Sequence, residues 1–159
     1  MVLRCVRFRP FNHSRPGQAE GFVVPDFAVQ IARIEAGLAP PVMEVGNLDV
    51  ERDFLDVRDV ADAYVLAVQK AETVKSGAIF NIASGIPRRV GDILELMLAQ
   101  SPDKIRLMRD PKRLRLTDLP RLVGNAARAQ KCLAWVPKYR FEDTVVDILD
   151  DWRGRMPVA

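Results

Sequence analysis

The feature that most constrains this chain is its opening, a short apolar strand that stops at a proline and releases a run of polar residues. Residues 2–8 are apolar and β-branched enough to read as a buried strand. Pro10 then removes a backbone donor, and Pro16-Gly17 imposes a turn. Between them lie Asn12, His13, Ser14 and Arg15, with Gln18 just beyond. Polar groups released at the C-terminal end of a strand sit where open α/β sheets bind ligands. A buried strand also expects neighbours on both sides.

After this start, helices alternate with short strands. Residues 22–36 read as a helix because Phe27, Ile31, Ile34 and Leu38 recur at helical spacing, with Gly37 ending it and Pro40-Pro41 preventing a restart. Residues 42–45 and 52–55 read as strands, and Gly46-Asn47 between them suggests a hairpin with a long loop. Asp56 is placed to cap a helix whose apolar stripe is Val57, Val60, Ala61, Tyr64, Val65 and Val68. Further on, 78–82 reads as a buried strand, 90–100 as a helix, 105–108 as a strand, and 109–123 as a charged connection. A helix over 126–133 and a last helix over 141–152, with Phe141, Val145, Ile148, Leu149 and Trp152 on one face, complete the chain. The fold class is α/β or α+β, built as a small cap and not a full doubly wound sheet.

Several chemistries have no counterpart in the sequence. No two of the nine glycines lie within three residues of each other, so there is no Gly-x-Gly-x-x-Gly dinucleotide fingerprint. One histidine and no Cys-x-x-Cys argue against a metal centre. Four residues after Tyr64 and Tyr139 stand Val68 and Asp143, so no Tyr-Lys proton-transfer pair shares a helix face. The formal charge of +3 is spread among acids, which argues against nucleic acid as partner. No apolar run approaches bilayer length, so no membrane partner is expected. Cys5 and Cys132 read as reduced, buried thiols and point to a cytoplasmic setting. What remains is a set of groups suited to a nucleotide diphosphate: Asn12 after a strand, Arg52 beside Asp53, and Arg113 and Arg115 between Asp110 and Asp118. Guanidinium suits phosphate oxygens and carboxylate suits ribose hydroxyls. Each arginine, taken singly, also fits a surface ion pair with its neighbouring aspartate.

Five blocks in order carry a family resemblance. They are Arg9-Pro-Phe-Asn-His-Ser-Arg-Pro-Gly-Gln18; Gly21-Phe-Val-Val-Pro-Asp-Phe27; Val45-Gly-Asn-Leu-Asp49 with Arg52-Asp-Phe-Leu-Asp-Val-Arg-Asp-Val60; Phe80-Asn-Ile-Ala-Ser-Gly85; and Asp110-Pro-Lys-Arg-Leu-Arg115 followed by Asp118-Leu-Pro120. Together they resemble the C-terminal half of extended short-chain dehydrogenases of the NAD-dependent epimerase/dehydratase family. The spacing looks closest to the GDP-mannose 4,6-dehydratases and the GDP-6-deoxy-lyxo-4-hexulose reductases, with the third block favouring the reductases. The resemblance implies that residues 1–159 are a single partial domain, the nucleotide-sugar-binding portion of a Rossmann-type enzyme, with residues 2–8 as the last sheet strand and the dinucleotide-binding half missing.

The resemblance also implies site roles. Asn12 and Arg52 would contact the diphosphate, Phe22 and Val23 would line the sugar–nucleotide cleft, and Gly46 and Asn47 would lie near the base. Arg115 would hold the diphosphate or ribose, and Asp118 the ribose hydroxyls. Arg9, Pro10 and Phe11 would approach the nicotinamide end of NAD(P), the cofactor of the intact family, which this chain alone would not bind. No catalytic residue and no metal ligand is carried over. The implied partners are a GDP-sugar and either a separate Rossmann-bearing chain or further copies of this one. A reductase, a dehydratase or other sugar-nucleotide epimerase fragment, and a non-catalytic binding or assembly subunit all fit these blocks. The chain departs from the family at Arg15 and Ala134, where glycine is usual, at Leu116, where proline is usual, and at Asn125, where aspartate is usual.

Overall fold

A computed structural model describes residues 3–114 and 119–157. The element order is β1 (Val6–Pro10), β2 (Asn12–Ser14), α1 (Val23–Glu35), β3 (Val42–Val45), β4 (Glu51–Asp56), α2 (Val57–Gln69), β5 (Ala78–Ile82), β6 (Pro87–Arg89), α3 (Val90–Leu98), β7 (Arg106–Arg109), a 3-10 turn (Pro111–Arg113), β8 (Arg121–Leu122), α4 (Ala127–Leu133) and α5 (Phe141–Gly154). The pairings β1–β5, β2–β4, β3–β7 and β4–β8 are parallel, and β4–β6 is antiparallel. The small-cap α/β expectation therefore holds.

Two apolar clusters support this layout. The first joins α1, α3 and α5 through Phe27, Ile31, Ile93, Leu94, Val145 and Ile148. The second joins β5, α2 and α4 through Phe80, Ile82, Ala63, Leu133 and Trp135. The periodic faces read from the sequence for α1 and α5 are buried, except that Leu38 falls beyond the end of α1 and is exposed. Asp56 caps α2 as expected, its Oδ1 accepting the Arg58 backbone N–H at 2.7 Å. The same carboxylate accepts the Arg58 guanidinium and the Thr144 hydroxyl, which ties α2 to α5. Burial pushes the Asp56 carboxyl up, but these bonds outweigh it and leave it below the usual range.

Four expectations are corrected. First, the opening strand begins at Val6, not residue 2, and pairs only with β5, so it is a half-buried edge among the described residues. The polar run after it is not a free loop, because Asn12–Ser14 forms β2 against Phe54–Asp56. Second, no hairpin turns at Gly46-Asn47. β3 pairs with β7 and β4 with β2, β6 and β8, so the two strands belong to different sheets. Asn47 Oδ1 accepts the Asp49 N–H at 3.0 Å, making a local turn that redirects the chain without closing a ladder.

Third, α2 faces inward through Asp59, Val60, Ala63 and Ala67. Tyr64, Val65 and Val68 are exposed at 47%, 54% and 76%, so most of the apolar stripe points outward. Small alanines let α2 approach α4, and Asp59 accepts the backbone N–H groups of Lys138 and Tyr139. That is why the larger side chains lie on the other side, where Tyr64 packs 4.6 Å from the Phe8 ring of β1. Fourth, Cys5 and Cys132 are exposed, one just before the open strand and one on the outer side of α4. Ala134, which replaces a family glycine, ends α4 with φ of 55°, the one left-handed non-glycine residue among those described.

Candidate functional site

The C-terminal end of β1, strand β2, the start of α1, the turn after β3 and the turn after β7 surround a cleft of about 1100 Å³. A cleft of this size suits a ligand larger than a simple sugar. Asn12, Phe22, Val23, Gly46, Asn47 and Arg52, the residues expected to bind nucleotide sugar, all line it. Pro10 and Phe11 line it as well. Arg9 does not; side chains alternate along a strand, and Arg9 is exposed on β1 beside Asn81 of β5. The expected contributions of Arg115 and Asp118 lie outside the described residues.

Each wall has a local cause. Phe22 precedes α1 in extended backbone and supplies no side-chain cap, so the start of that helix presents uncapped N–H groups beside Val23 and Val24. Asp53, next to Arg52 on β4, is fully buried and anchors two backbone segments, 84–85 and 124. Its Oδ1 accepts Ser84 N–H and O–H at 2.8 Å, and its Oδ2 accepts Gly85 N–H at 2.9 Å and Gly124 N–H at 3.0 Å. Arg52 Nη1 donates to the carbonyls of Glu51 at 2.8 Å and Leu119 at 2.7 Å, which holds the guanidinium along the rim. Gly46 is required for a close approach, because a Cβ there would sit 2.7 Å from the Arg113 carbonyl oxygen. His13 lies 2.9 Å from the Phe11 carbonyl through Nδ1, the loop-ordering bond that its place in the sequence suggests.

Sequence reasoning did not assign Gln18, Leu48, Lys112, Leu119 and Leu122, which also line the cleft. For Lys112, Leu119 and Leu122 the signal is topological, since parallel pairings bring β7 and β8 beside β3 and β4. The sequence offers Arg113 either as a phosphate ligand or as a partner of Asp110. Its Nε lies 3.8 Å from Asp110 Oδ2, as an ion pair with that neighbour, and its Nη1 also donates to Asp26 of α1 at 2.5 Å, a partner far away in sequence. Among the described residues, no group of three or more His, Cys, Asp and Glu side chains could hold a metal ion. No helix among them is long and apolar enough to cross a membrane.

An α/β fold with parallel pairings and a nucleotide-sized cleft beyond the strand ends is that of one half of a Rossmann-type short-chain dehydrogenase. Solved structures agree. RMD from Pseudomonas aeruginosa, complexed with NADPH, superposes with a TM-score of 0.87 at 35% identity, over 96% of this chain and 50% of that one. A putative epimerase from Burkholderia cenocepacia gives 0.78 at 28% identity, over 94% and 46%. The chain belongs to the GDP-mannose 4,6 dehydratase family, whose model matches residues 2–148. It is a homologue of the GDP-6-deoxy-D-mannose reductase of Pseudomonas aeruginosa, 37% identical over 153 residues, which are 96% of this chain and 49% of the reductase. The chain thus spans about half the length of the relatives it matches.

Proposed function

We propose that residues 1–159 are the nucleotide-sugar-binding half of an NAD(P)-dependent GDP-4-keto-6-deoxymannose reductase. The observation that carries this reading is the convergence of Asn12, Phe22, Val23, Gly46, Asn47 and Arg52 on one cleft, although they come from four separate stretches of sequence. In this reading the diphosphate lies between Asn12, Arg52 and the uncapped start of α1, where backbone N–H groups and the helix dipole favour an anion. Gly46 and Asn47 border the base in this reading.

Reduction is favoured over dehydration by the activity of the 37%-identical relative, a GDP-6-deoxy-D-mannose reductase. NAD(P)H supplies the hydride, and Pro10 and Phe11 are the residues of this chain that would approach its nicotinamide end. A Rossmann-bearing segment, continuous with this chain or separate from it, would dock along the open edge of β1 and cover Tyr64, Val65 and Val68. The open edge, the exposed apolar face and the half-length match to the reductase support that arrangement.

Calorimetric titration of the chain with GDP and GDP-mannose tests the binding claim. Saturable binding is expected, weakened about ten- to hundredfold by Arg52→Ala, since a charge-assisted phosphate contact contributes about 1.5–3 kcal/mol. Absence of binding, or binding indifferent to Arg52, would reject it.

A further inference from the structure

One cation that lines the cleft, Arg113, faces three carboxylates from three elements. Arg113 Nη1 donates to Asp26 Oδ2 at 2.5 Å on the first turn of α1. Its Nε lies 3.9 Å from Glu44 Oε2 on β3 and 3.8 Å from Asp110 Oδ2 at the start of the 3-10 turn. The backbone of the turn is fixed too: Arg113 N–H donates to Asp110 O at 3.1 Å, and Asp110 N–H donates to Val45 O at 3.0 Å. On the α1 side, Gln30 Nε2 donates to the same Asp26 Oδ2 at 2.9 Å and to Glu44 O at 3.1 Å. Lys112, Arg113 and Leu114 line the cleft from the turn after β7, and Phe22, Val23 and Asp26 line it from the start of α1.

The Arg113–Asp26 pair therefore joins the two walls. The Arg113 and Asp26 side chains are 35% and 20% exposed, so the pair adds little to global stability. Its effect is local, because it sets the spacing between the start of α1 and the turn that carries Lys112. We propose that Arg113 is a positioning residue for the nucleotide, acting through its pair with Asp26. This rests on the reading of the cleft as a nucleotide-sugar site.

GDP titrations of the full chain test it with four variants: Arg113→Ala, Arg113→Lys, Asp26→Asn, and the Arg113→Ala, Asp26→Asn double substitution. Each loss-of-pair single substitution is expected to weaken GDP binding about tenfold, and the double substitution no more than either single one. Arg113→Lys, whose ammonium still reaches Asp26, is expected to stay within about threefold of the unaltered chain. Wild-type affinity in Arg113→Ala, losses that simply add in the double substitution, or Arg113→Lys as weak as Arg113→Ala would each overturn the proposal. An unaltered chain that binds no GDP would overturn the nucleotide-sugar reading and this proposal with it. That outcome is distinct from a chain that binds GDP with no regard for Arg113.

Discussion

Mixed with NADPH and GDP-4-keto-6-deoxymannose, the chain alone is expected to give no detectable turnover. Reduction of a ketone needs a cofactor held with its nicotinamide against the carbonyl and a group that delivers a proton to the developing alkoxide. The sequence offers no Gly-x-Gly-x-x-Gly to cradle a pyrophosphate, and neither tyrosine has a lysine four residues on. The one histidine has Nδ1 bonded to the Phe11 carbonyl, a role that orders the backbone. Turnover is expected to appear when the unmatched half of the Pseudomonas aeruginosa reductase is supplied. The proposed complementing surface is the edge of β1 left unpaired among the described residues, with the exposed side of α2. Turnover by the purified chain alone would refute the assignment of the chemistry to a segment outside it, and failure of the added half to restore it would count against the docking surface.

Asp53→Ala is expected to lower stability far more than loss of the partly exposed Arg113–Asp26 pair. The Asp53 carboxylate is fully buried and accepts four hydrogen bonds, three of them from backbone N–H groups at Ser84, Gly85 and Gly124. Alanine leaves those donors in a hollow with no acceptor. Unsatisfied buried donors cost about 1–3 kcal/mol each, partly relieved where water enters, so a net loss of about 3–5 kcal/mol is expected. For a chain of this size that lowers the melting midpoint by roughly 6–20 °C. Asp53→Asn should fall between the two, because it keeps one acceptor oxygen but turns an NH2 group toward backbone donors. A melting midpoint for Asp53→Ala within about 2 °C of the unaltered chain would show that these bonds contribute little.

Local patterning reached the helices and stopped short of the sheet. The faces of α1 and α5 and the Asp56 cap follow from spacing within a few turns of chain, which periodicity reports directly. The β3–β4 hairpin failed because Gly46-Asn47 carries a turn signal, yet the partners of both strands are distant: β7 for β3, and β2, β6 and β8 for β4. A local signal cannot announce a parallel pairing made across a crossover. The α2 stripe misled for a different reason. Its larger apolar residues are real, but Asp59 and two alanines take the inner side, and Tyr64, Val65 and Val68 stand exposed. Ala134 illustrates the opposite case, where a departure at a family glycine marks a position that does adopt the left-handed conformation.

The site divides in the same way. Asn12, Gly46 and Arg52 could be named because they sit in recognisable blocks of residues, and the fold then brings them to one cleft. Arg113 could be singled out as a guanidinium in a charged stretch, but its partner Asp26 lies 87 residues earlier. Only the three-dimensional arrangement reveals that bond.

The central claim is that one cleft, framed by β2, the start of α1 and the turns after β3 and β7, receives the nucleotide. Two-dimensional amide spectra of the full chain titrated with GDP test it residue by residue. Asn12, Val23, Gly46, Asn47 and Arg52 are expected to shift together along one saturation curve. Shifts gathered on another face while these amides stay still, or no shift at any amide, would contradict it.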